Sequence, residues 1–327
     1  MPPTTELIEA GQGALARAAR TLAAGGLVAF PTETVYGLGA DATNGEAVAR
    51  LYEAKGRPSF NPLIAHLPDV GAARTLARFD DAAERLAAFW PGPLTLVLPK
   101  SVGCTVAELA TAGLDTIAVR VPSHPVARDL LWALGRPVVA PSANRSGHVS
   151  PTTAQHVLAD LRGRIDLIID GGPTPMGLES TIVACLGRPT LLRPGALPRA
   201  EIERIVTLDE APPGISQTED TDVAPIAPGQ LASHYAPRAR LRLNADSVER
   251  GEALLAFGSP PIAGAQHAAL ALNLSPRGDP VEAAANLFSH LRTLDASGAA
   301  VIAVMPVPHE GLGEAINDRL RRAAAPR

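Results

Sequence analysis

The sequence predicts an α/β protein made of two units, because short apolar runs alternate with helical patterns along most of its 327 residues. In residues 1–206 several predicted strands follow one another with no helix between them, which favours a mixed sheet over a doubly wound parallel sheet. In residues 238–327 strands and helices alternate, which is typical of a small Rossmann-like α/β domain. Residues 207–237 carry scattered Pro, Gly, Ser and Asp without an apolar period, so we expect a linker there.

Local signals support each predicted element in turn. Residues 26–30 (GLVAF) form an apolar run that ends at Pro31, which is typical of a buried strand. Asn44 can cap a helix whose apolar residues, from Ala47 to Tyr52, share one face. Further strands are predicted over residues 62–67, 94–98, 116–121, 137–140, 167–170, 181–186 and 190–193, and further helices over 80–89, 125–134, 152–161 and 198–206. In the second unit LRLNA, ALLAFGS, AALALNLS and AAVIAVMPVP predict strands, and residues 280–294 and 311–324 predict helices.

Composition and charge exclude several classes of protein. The formal net charge of −4 argues against a nucleic-acid coat protein or a membrane-surface binder, since both need a basic excess. Apolar residues make up 46% of the chain, which is enough to bury a core. Two cysteines cannot form a disulfide framework or a cysteine-rich zinc site. Because no apolar run approaches ~18 residues and the N-terminus lacks a signal-peptide pattern, we expect a soluble, cytoplasmic protein.

Two polar segments of the first unit indicate ligand binding. Residues 31–39 (PTETVYGLG) directly follow a predicted strand, where hydroxyls and an acid are well placed to meet a ligand; an ordinary glycine turn is the alternative. Residues 55–66 (KGRPSFNPLIAH) place Lys55 and Arg57 around a glycine at a predicted helix end. These cations either complement the helix dipole or form a clamp for phosphates, in which arginine supplies a fork and lysine a point charge.

Two further segments carry the same kind of signal. Alternation along a predicted strand puts Thr116, Ala118 and Arg120 on one face, and an arginine in an apolar strand needs an anion. That anion is either the acid of a structural ion pair or a substrate carboxylate. Residues 140–152 (APSANRSGHVSPT) lie between a strand and a helix whose first N–H groups can face an anion, although Ser150 or Thr152 could be only an N-cap. The loop lacks the Walker A pattern.

The order of these motifs resembles one known family. The segments PTETVYGLGADA, KGRPSFNPLIAH, WPGPLTLVL, TIAVRVP, APSANRSGHVSPT, ESTIV and LLRPG resemble those of the YrdC-like threonylcarbamoyl-AMP synthases. The segment APGQLASHYAPR and the extra C-terminal unit resemble the long, two-domain form of that family. The resemblance implies a twisted, partly parallel sheet around a large concave active site.

The resemblance also implies a reaction. L-Threonine, bicarbonate or CO2, and ATP would give L-threonylcarbamoyladenylate and pyrophosphate, with Mg2+ accompanying ATP and no metal held by the protein itself. A separate transferase would then use the product to modify the adenosine beside the anticodon of certain tRNAs; direct contact of this chain with tRNA is left open. A carbamate can attack the α-phosphate without an enzyme nucleophile, so a Ser-His-Asp or Cys-His motif is not needed.

The family's motifs assign implied roles to residues of this chain. The residues implied to hold L-threonine are Thr34, His66, Arg120, the backbone at Ala140, and Ser180. Lys55, Arg57 and Asn61 would meet the phosphates, with Lys55 and Arg57 as catalytic residues. The residues that would complete the ATP site are Thr116, Ser142, Ser150, Arg193 and Tyr235. Because a plain spacer needs neither an aromatic nor an imidazole, His234 and Tyr235 at the end of residues 207–237 predict a lid over the active site.

Two other functions stay open at this point. The first is an RNA-binding module that uses the basic concave cleft, although the net charge of −4, the 3% aromatic content and the lack of aromatic–basic interleaving argue against it. Competition between RNA and ATP would distinguish the two. The second is a carbamoyltransferase of hydrogenase maturation, which contains a related domain. Those proteins resemble larger assemblies with cysteine-rich zinc motifs, which two isolated cysteines cannot supply.

Overall fold

An eleven-stranded sheet forms the first unit of the computed structural model, which describes residues 4–210, 227, 234–260 and 262–326. Its strands are β1 (Glu6–Glu9), β2 (Val28–Phe30), β3 (Gly37–Asp41), β4 (Ile64–His66), β5 (Leu94–Pro99), β6 (Thr116–Arg120), β7 (Val138–Val139), β8 (Leu167–Asp170), β9 (Thr181–Ala184), β10 (Thr190–Arg193) and β11 (Asp209–Glu210). Their order across the sheet is β1-β8-β2-β3-β7-β4-β6-β5-β9-β10-β11. Both parallel pairs, such as β4–β6, and antiparallel pairs, such as β5–β6, occur. The predicted mixed sheet is confirmed.

Helices cover both faces of this sheet. They are α1 (Gln12–Ala23), α2 (Gly45–Lys55), α3 (Val70–Leu76), α4 (Asp81–Leu86), α5 (Pro125–Leu134), α6 (Ala154–Leu161) and α7 (Arg199–Glu203), with short 3-10 turns at Ala87–Phe89 and Glu108–Thr111. Leu22 of α1 and Leu130 of α5 pack with Phe30 in one core layer. Leu51 of α2 and Leu86 of α4 belong to the larger core cluster.

Several local predictions agree with the structure. Asn44 caps α2 as expected, since its side chain accepts hydrogen bonds from the backbone N–H groups of Glu46 and Ala47 at 3.0 and 3.1 Å. The N-cap of α6 is Thr153, so neither Ser150 nor Thr152 has that role.

The sequence did not predict β1, α1 or α3. These elements are short or alanine-rich, so their apolar periodicity is weak.

The alternative considered for residues 31–39, an ordinary glycine turn, is wrong at the C-terminal end of this segment. Gly37–Asp41 form β3, which pairs antiparallel with β2 and places Gly39 opposite Val28. A Cβ atom at Gly39 would lie 2.8 Å from Cε1 of Phe30, closer than packed atoms can approach. Glycine here therefore permits the close approach of Phe30, and is not a turn residue.

The second unit is a four-stranded parallel sheet in the order β12-β15-β13-β14. Its strands are β12 (Arg240–Arg242), β13 (Ala253–Ala256), β14 (Ala271–Asn273) and β15 (Val301–Val304), its helices are α8 (Pro280–Ala296) and α9 (Leu312–Ala324), and a 3-10 turn spans Ala265–His267. The predicted small α/β domain is thus confirmed. Val35, Val149 and Leu178 of the first unit are buried in the same cluster as Phe288 and Ile316, so the two units share a core. In the described part of the chain, no helix has the length and apolar character needed to cross a membrane.

Candidate active site

A cleft lies against the large sheet where β4 and β6 run side by side and His66 pairs in register with Arg120. The residues lining it include nine that the family resemblance implies: Thr34, Arg57, His66, Arg120, Ala140, Ser142, Ser180, Arg193 and Tyr235. The free volume between the lining groups is about 50 Å³, far below the roughly 300–1,000 Å³ of a small-molecule pocket. His234 and Tyr235 are also part of the lining.

Arg120, the last residue of β6, is held at the cleft wall by a buried carboxylate. Its Nη2 donates to Oε1 of Glu33 at 2.6 Å, and each side chain is 5% exposed. Oε2 of Glu33 accepts a hydrogen bond from the backbone N–H of Ser123 at 3.1 Å. Burial opposes ionisation of Glu33, but the charge and hydrogen bond of Arg120 outweigh it and lower the pKa of the carboxyl. Two anions were considered from the sequence as the partner of Arg120. The structure shows the first of them, the acid of a structural ion pair, which is Glu33.

His66 lies beside Arg120 and is buried. Its Nδ1 is 3.1 Å from the backbone oxygen of Ile64, so the tautomer with the proton on Nδ1 donates to that oxygen and leaves Nε2 as an acceptor. Burial and, secondarily, the charge of Arg120 lower the pKa of His66 to about 3. The imidazole is therefore neutral near pH 7 and can accept a hydrogen bond from an ammonium or hydroxyl group.

This low pKa predicts a loss of stability in mild acid. The unfolded chain protonates His66 below pH 6.5, whereas the folded protein does so only near pH 3. The free energy of unfolding should therefore fall by about 1.4 kcal/mol per pH unit from this group as the pH drops through that window. Urea unfolding at pH 7, 6 and 5 should give a shallower pH dependence for His66→Gln, with His267→Gln, at an exposed site, as the control. Equal slopes for all three proteins would contradict the assignment.

Two hydroxyl groups are fixed at the same part of the cleft. Oγ of Ser180, just before β9, lies 2.7 Å from Oγ1 of Thr95, and Nη2 of Arg193 donates to the backbone oxygen of Ser180 at 2.8 Å. Oγ1 of Thr34 lies 2.8 Å from Oγ1 of Thr32, and both residues are buried. Protein partners therefore orient both hydroxyls before any ligand binds.

Arg57 supplies a positive charge that no acid neutralises among the described residues. Its Nη2 and Nε donate to the backbone oxygens of Pro62 and Asn61, at 3.0 and 3.3 Å, and the guanidinium also has a hydrogen bond with the Tyr52 hydroxyl. Burial lowers the pKa of the guanidinium to about 10, which keeps it cationic at neutral pH. A partly buried cation whose partners are neutral oxygens is well suited to an added anion.

Lys55, the last residue of α2, lies next to the cleft wall but does not line it. Its Nζ donates to the backbone oxygens of Ser142 and Asn144, both at 2.5 Å, so the side chain supports the loop that follows β7. Burial and the nearby charge of Arg57 hold the pKa of Lys55 well below 10.5. An anion bound at this loop would counteract both the burial and the charge of Arg57, and so would favour the protonated form of Lys55.

Three more of the implied ATP-site residues also lie outside the lining: Asn61, Thr116 and Ser150. Oδ1 of Asn61 is buried and has no hydrogen-bond partner among the described residues. Thr116 is the first residue of β6, at the opposite end of that strand from Arg120. Ser150 is buried, and its Oγ donates to Oε1 of Glu179 at 2.5 Å.

Of the two carboxylates at the site, the sequence indicated only Glu33, as the acid of residues 31–39, and Glu179 was not predicted. Glu33 pairs with Arg120, and Glu179 lines the cleft and pairs with Arg319 of α9. Burial opposes ionisation of Glu179, but Arg319, Arg193 and two hydrogen bonds lower its pKa. The only local signal was an acid next to hydroxyl residues, in TET and EST. Among the described residues, no group of three or more His, Cys, Asp or Glu is arranged to hold a metal ion.

Comparisons with known proteins account for almost the whole chain. Residues 20–195 match a family model described as "Telomere recombination", and residues 197–325 match one described as "Threonylcarbamoyl-AMP synthase, C-terminal domain". The threonylcarbamoyl-AMP synthase of Bacillus subtilis is 40% identical over 99% of this chain and 96% of its own length. The chain belongs to the threonylcarbamoyl-AMP synthase family. The family member from Pyrococcus abyssi is 45% identical over 92% of this chain and 91% of its own length.

Solved structures agree with this family membership. The crystal structure of Pyrococcus abyssi Sua5 complexed with L-threonine has a TM-score of 0.85 and 41% identity, and the match covers 99% of this chain and 98% of that one. Escherichia coli YciO, at 24% identity and a TM-score of 0.51, shares the fold of the first unit. The predicted family and enzyme class are confirmed.

Proposed function

We propose that this cleft makes L-threonylcarbamoyladenylate from L-threonine, bicarbonate or CO2, and ATP. One observation carries the proposal. Arg120 and the neutral His66 form a wall suited to an amino acid, which we call the amino-acid wall. Beside it lie the buried Lys55 and the partly buried Arg57, which form no ion pair among the described residues and suit phosphates. The relative from Pyrococcus abyssi has been crystallised with L-threonine, which supports threonine as the amino acid.

At the amino-acid wall, the guanidinium of Arg120 would donate to the threonine carboxylate. Glu33 positions that guanidinium, so less ordering is needed when the substrate binds. Nε2 of His66 would accept a hydrogen bond from the amine or the hydroxyl, and the oriented hydroxyls of Thr34 and Ser180 would complete the recognition of the substrate's polar groups. The backbone at Ala140 would form the remaining contact.

The proposed chemistry uses only the substrates' own groups as nucleophiles. The unprotonated threonine nitrogen attacks the carbon of CO2, which is supplied directly or by dehydration of bicarbonate. A C–N bond forms while one C=O π bond breaks, and the nitrogen then loses a proton to water to give a carbamate. A carbamate oxygen then attacks the α-phosphorus, the bond from that phosphorus to the bridging oxygen breaks, and pyrophosphate leaves. The protein contributes proximity and charge neutralisation. Arg57 and Lys55 would act on the phosphates, and Asn61, Thr116, Ser142, Ser150, Arg193 and Tyr235 would complete the ATP site.

Mg2+ is expected to arrive with the triphosphate as part of the substrate. The residues present do not fit a metal held by the protein, because the cleft carboxylate Glu179 already pairs with Arg319 and Glu33 already pairs with Arg120. No step of the proposed reaction is therefore assigned to a metal site of this chain.

Residues 207–237 are proposed to cover the cleft. Ala227 is buried in an apolar cluster with Ile64 and Ala118 of the first unit. His234 and Tyr235 line the cleft. Residues 211–226 and 228–233 lie outside the described residues. A cover would exclude water, which matters because a carbamate and a mixed anhydride both hydrolyse readily. The product would then pass to a separate tRNA threonylcarbamoyl transferase.

Pyrophosphate release from ATP tests the proposed function. We expect release only when threonine and bicarbonate are both present, because the carbamate is the nucleophile. Serine should react more slowly but should not be excluded, since a missing methyl group is worth only about 1–3 kcal/mol. Each substrate should be omitted in turn, and the product identified by mass spectrometry. Equal release of pyrophosphate without any amino acid would contradict the proposal, and inhibition of ATP binding by RNA would favour the RNA-binding alternative.

A further inference from the structure

A buried arginine of the C-terminal unit reaches the wall of the cleft. Arg319, on α9, is fully buried, and its Nε donates to Oε2 of Glu179 at 2.8 Å across the boundary between the two units. Glu179 lines the cleft, and its Oε1 accepts the hydrogen bond from Oγ of Ser150 at 2.5 Å. One carboxylate therefore connects a C-terminal arginine to a hydroxyl on the nucleotide side of the cleft.

The same guanidinium also contacts the aromatic residue of the cleft lining. Cζ of Arg319 lies 5.2 Å from the ring centroid of Tyr235, within the range of a cation–π contact. The Tyr235 ring in turn stacks on Phe288 of α8, with centroids 5.5 Å apart. Nη1 of Arg319 donates to Asp318 at 2.5 Å. Two carboxylates and one ring thus fix the orientation of Arg319.

A second arginine of the C-terminal unit holds the loop that contains Ser150. Arg292, on α8, donates through Nη2 to the backbone oxygen of Val149 and through Nε to that of Ser150 at 3.5 Å. Its Nη2 also lies 3.2 Å from Oδ2 of Asp160. The loop after β7 is therefore held at its backbone by Arg292, and at the Ser150 side chain by the Glu179–Arg319 pair.

The two units also pack closely at Gly177, two residues before Glu179. Gly177 has a φ of +67°, and a Cβ atom there would lie 2.4 Å from the backbone oxygen of Ala284 on α8, so no side chain fits between them. An interface this tight could be stabilised by apolar packing alone, and a buried ion pair adds little net stability over apolar groups of the same size. Stabilisation of the interface alone therefore does not explain why Glu179 and Arg319 are charged residues.

We propose that Arg319 and Arg292 are positioning residues for the ATP side of the cleft, so that the C-terminal unit is a structural part of the nucleotide site. Arg319 orients Glu179, Ser150 and Tyr235, and Arg292 fixes the backbone that carries Ser150. Among the described residues, His66 and Arg120 of the amino-acid wall form no hydrogen bond with the C-terminal unit. This inference rests on the proposed function for the identity of the ligands.

Calorimetric binding of ATP and of L-threonine to the full chain tests the inference without requiring turnover. Arg319→Met and Glu179→Gln should each weaken ATP binding about tenfold or more, because each removes a charged hydrogen bond. Threonine binding should change less than about threefold. Arg319→Lys, which keeps the charge but not the fork, should recover part of the loss. Because the two residues act through one contact, the double variant should be scarcely worse than either single variant.

Arg199→Met is the matched control, since Arg199 and Glu314 form another ion pair between the same two units at 2.7 Å. It should leave the ratio of the two affinities unchanged. If Arg319→Met fails to fold, Arg292→Met should still weaken ATP binding selectively. Equal weakening of both ligands, or a lower melting temperature with both affinities intact, would overturn the inference. If the unmodified chain binds neither ATP nor threonine, the proposed function and this inference both fail.

Discussion

We expect the Arg57→Ala variant to release pyrophosphate about 10²–10³-fold more slowly than the unmodified chain. Removing one preorganised donor to developing negative charge typically slows an enzyme by about this factor. Arg57 suits this role because it lines the cleft and forms no ion pair among the described residues, so its charge is available to an anion. The rate should be measured at saturating threonine, bicarbonate and ATP. Arg85→Ala is the matched control, because Arg85 also donates to backbone oxygens but is exposed.

Lys55→Arg should be harmful as well, although the charge is kept. Nζ of Lys55 lies between the backbone oxygens of Ser142 and Asn144 in a buried position, and a planar guanidinium cannot replace a compact ammonium there. A thermally intact Arg57→Ala protein with normal activity would refute the role of the cations, and a fully active Lys55→Arg protein would refute the steric argument.

Arg120→Met should lose threonine-dependent activity and also destabilise the protein by about 3–5 kcal/mol, because Glu33 is left buried and charged without its partner. Denaturant unfolding and threonine binding measure the two effects separately. The double variant Glu33→Gln/Arg120→Met should regain most of the stability, since no unpaired charge remains, but not threonine binding.

That double variant separates the two roles considered for Arg120. If it binds threonine normally, Arg120 serves only the ion pair, and the substrate carboxylate has another partner. Glu33→Gln alone should keep threonine binding in part, because the guanidinium stays in place but loses one charged partner.

The sequence predicted the parts of the site that depend on local order. Alternation along β6 placed Arg120 on one face, and the need of a buried arginine for an anion predicted that it would have a charged partner. The identity of that partner was beyond local patterns, because Glu33 lies 87 residues away in the chain, and Arg319 lies 140 residues from Glu179. The first contact depends on how strands are ordered in the sheet and the second on how the two units pack, and no short motif encodes either.

A motif also does not show on which side of a loop its residues lie. Lys55 and Arg57 share one segment, yet Arg57 lines the cleft while Lys55 lies against the backbone of the loop after β7. Likewise, the glycines at 37 and 39 look like turn residues in the sequence, but they belong to a strand that Phe30 approaches closely. In both cases tertiary packing, and not the local sequence, determines where these residues lie.

The shared core of the two units determines how the protein unfolds. Val35, Val149 and Leu178 are buried together with Phe288 and Ile316, so separating the units would expose apolar surface on both. Neither unit can open to solvent without weakening the other, and partial unfolding at this boundary would also disorder the loop that carries Ser150. Backbone amides of α8 and of that loop should therefore exchange with deuterium at similar rates, as members of one cooperative unit. The nucleotide side of the cleft would then be lost in the same opening event that separates the two units.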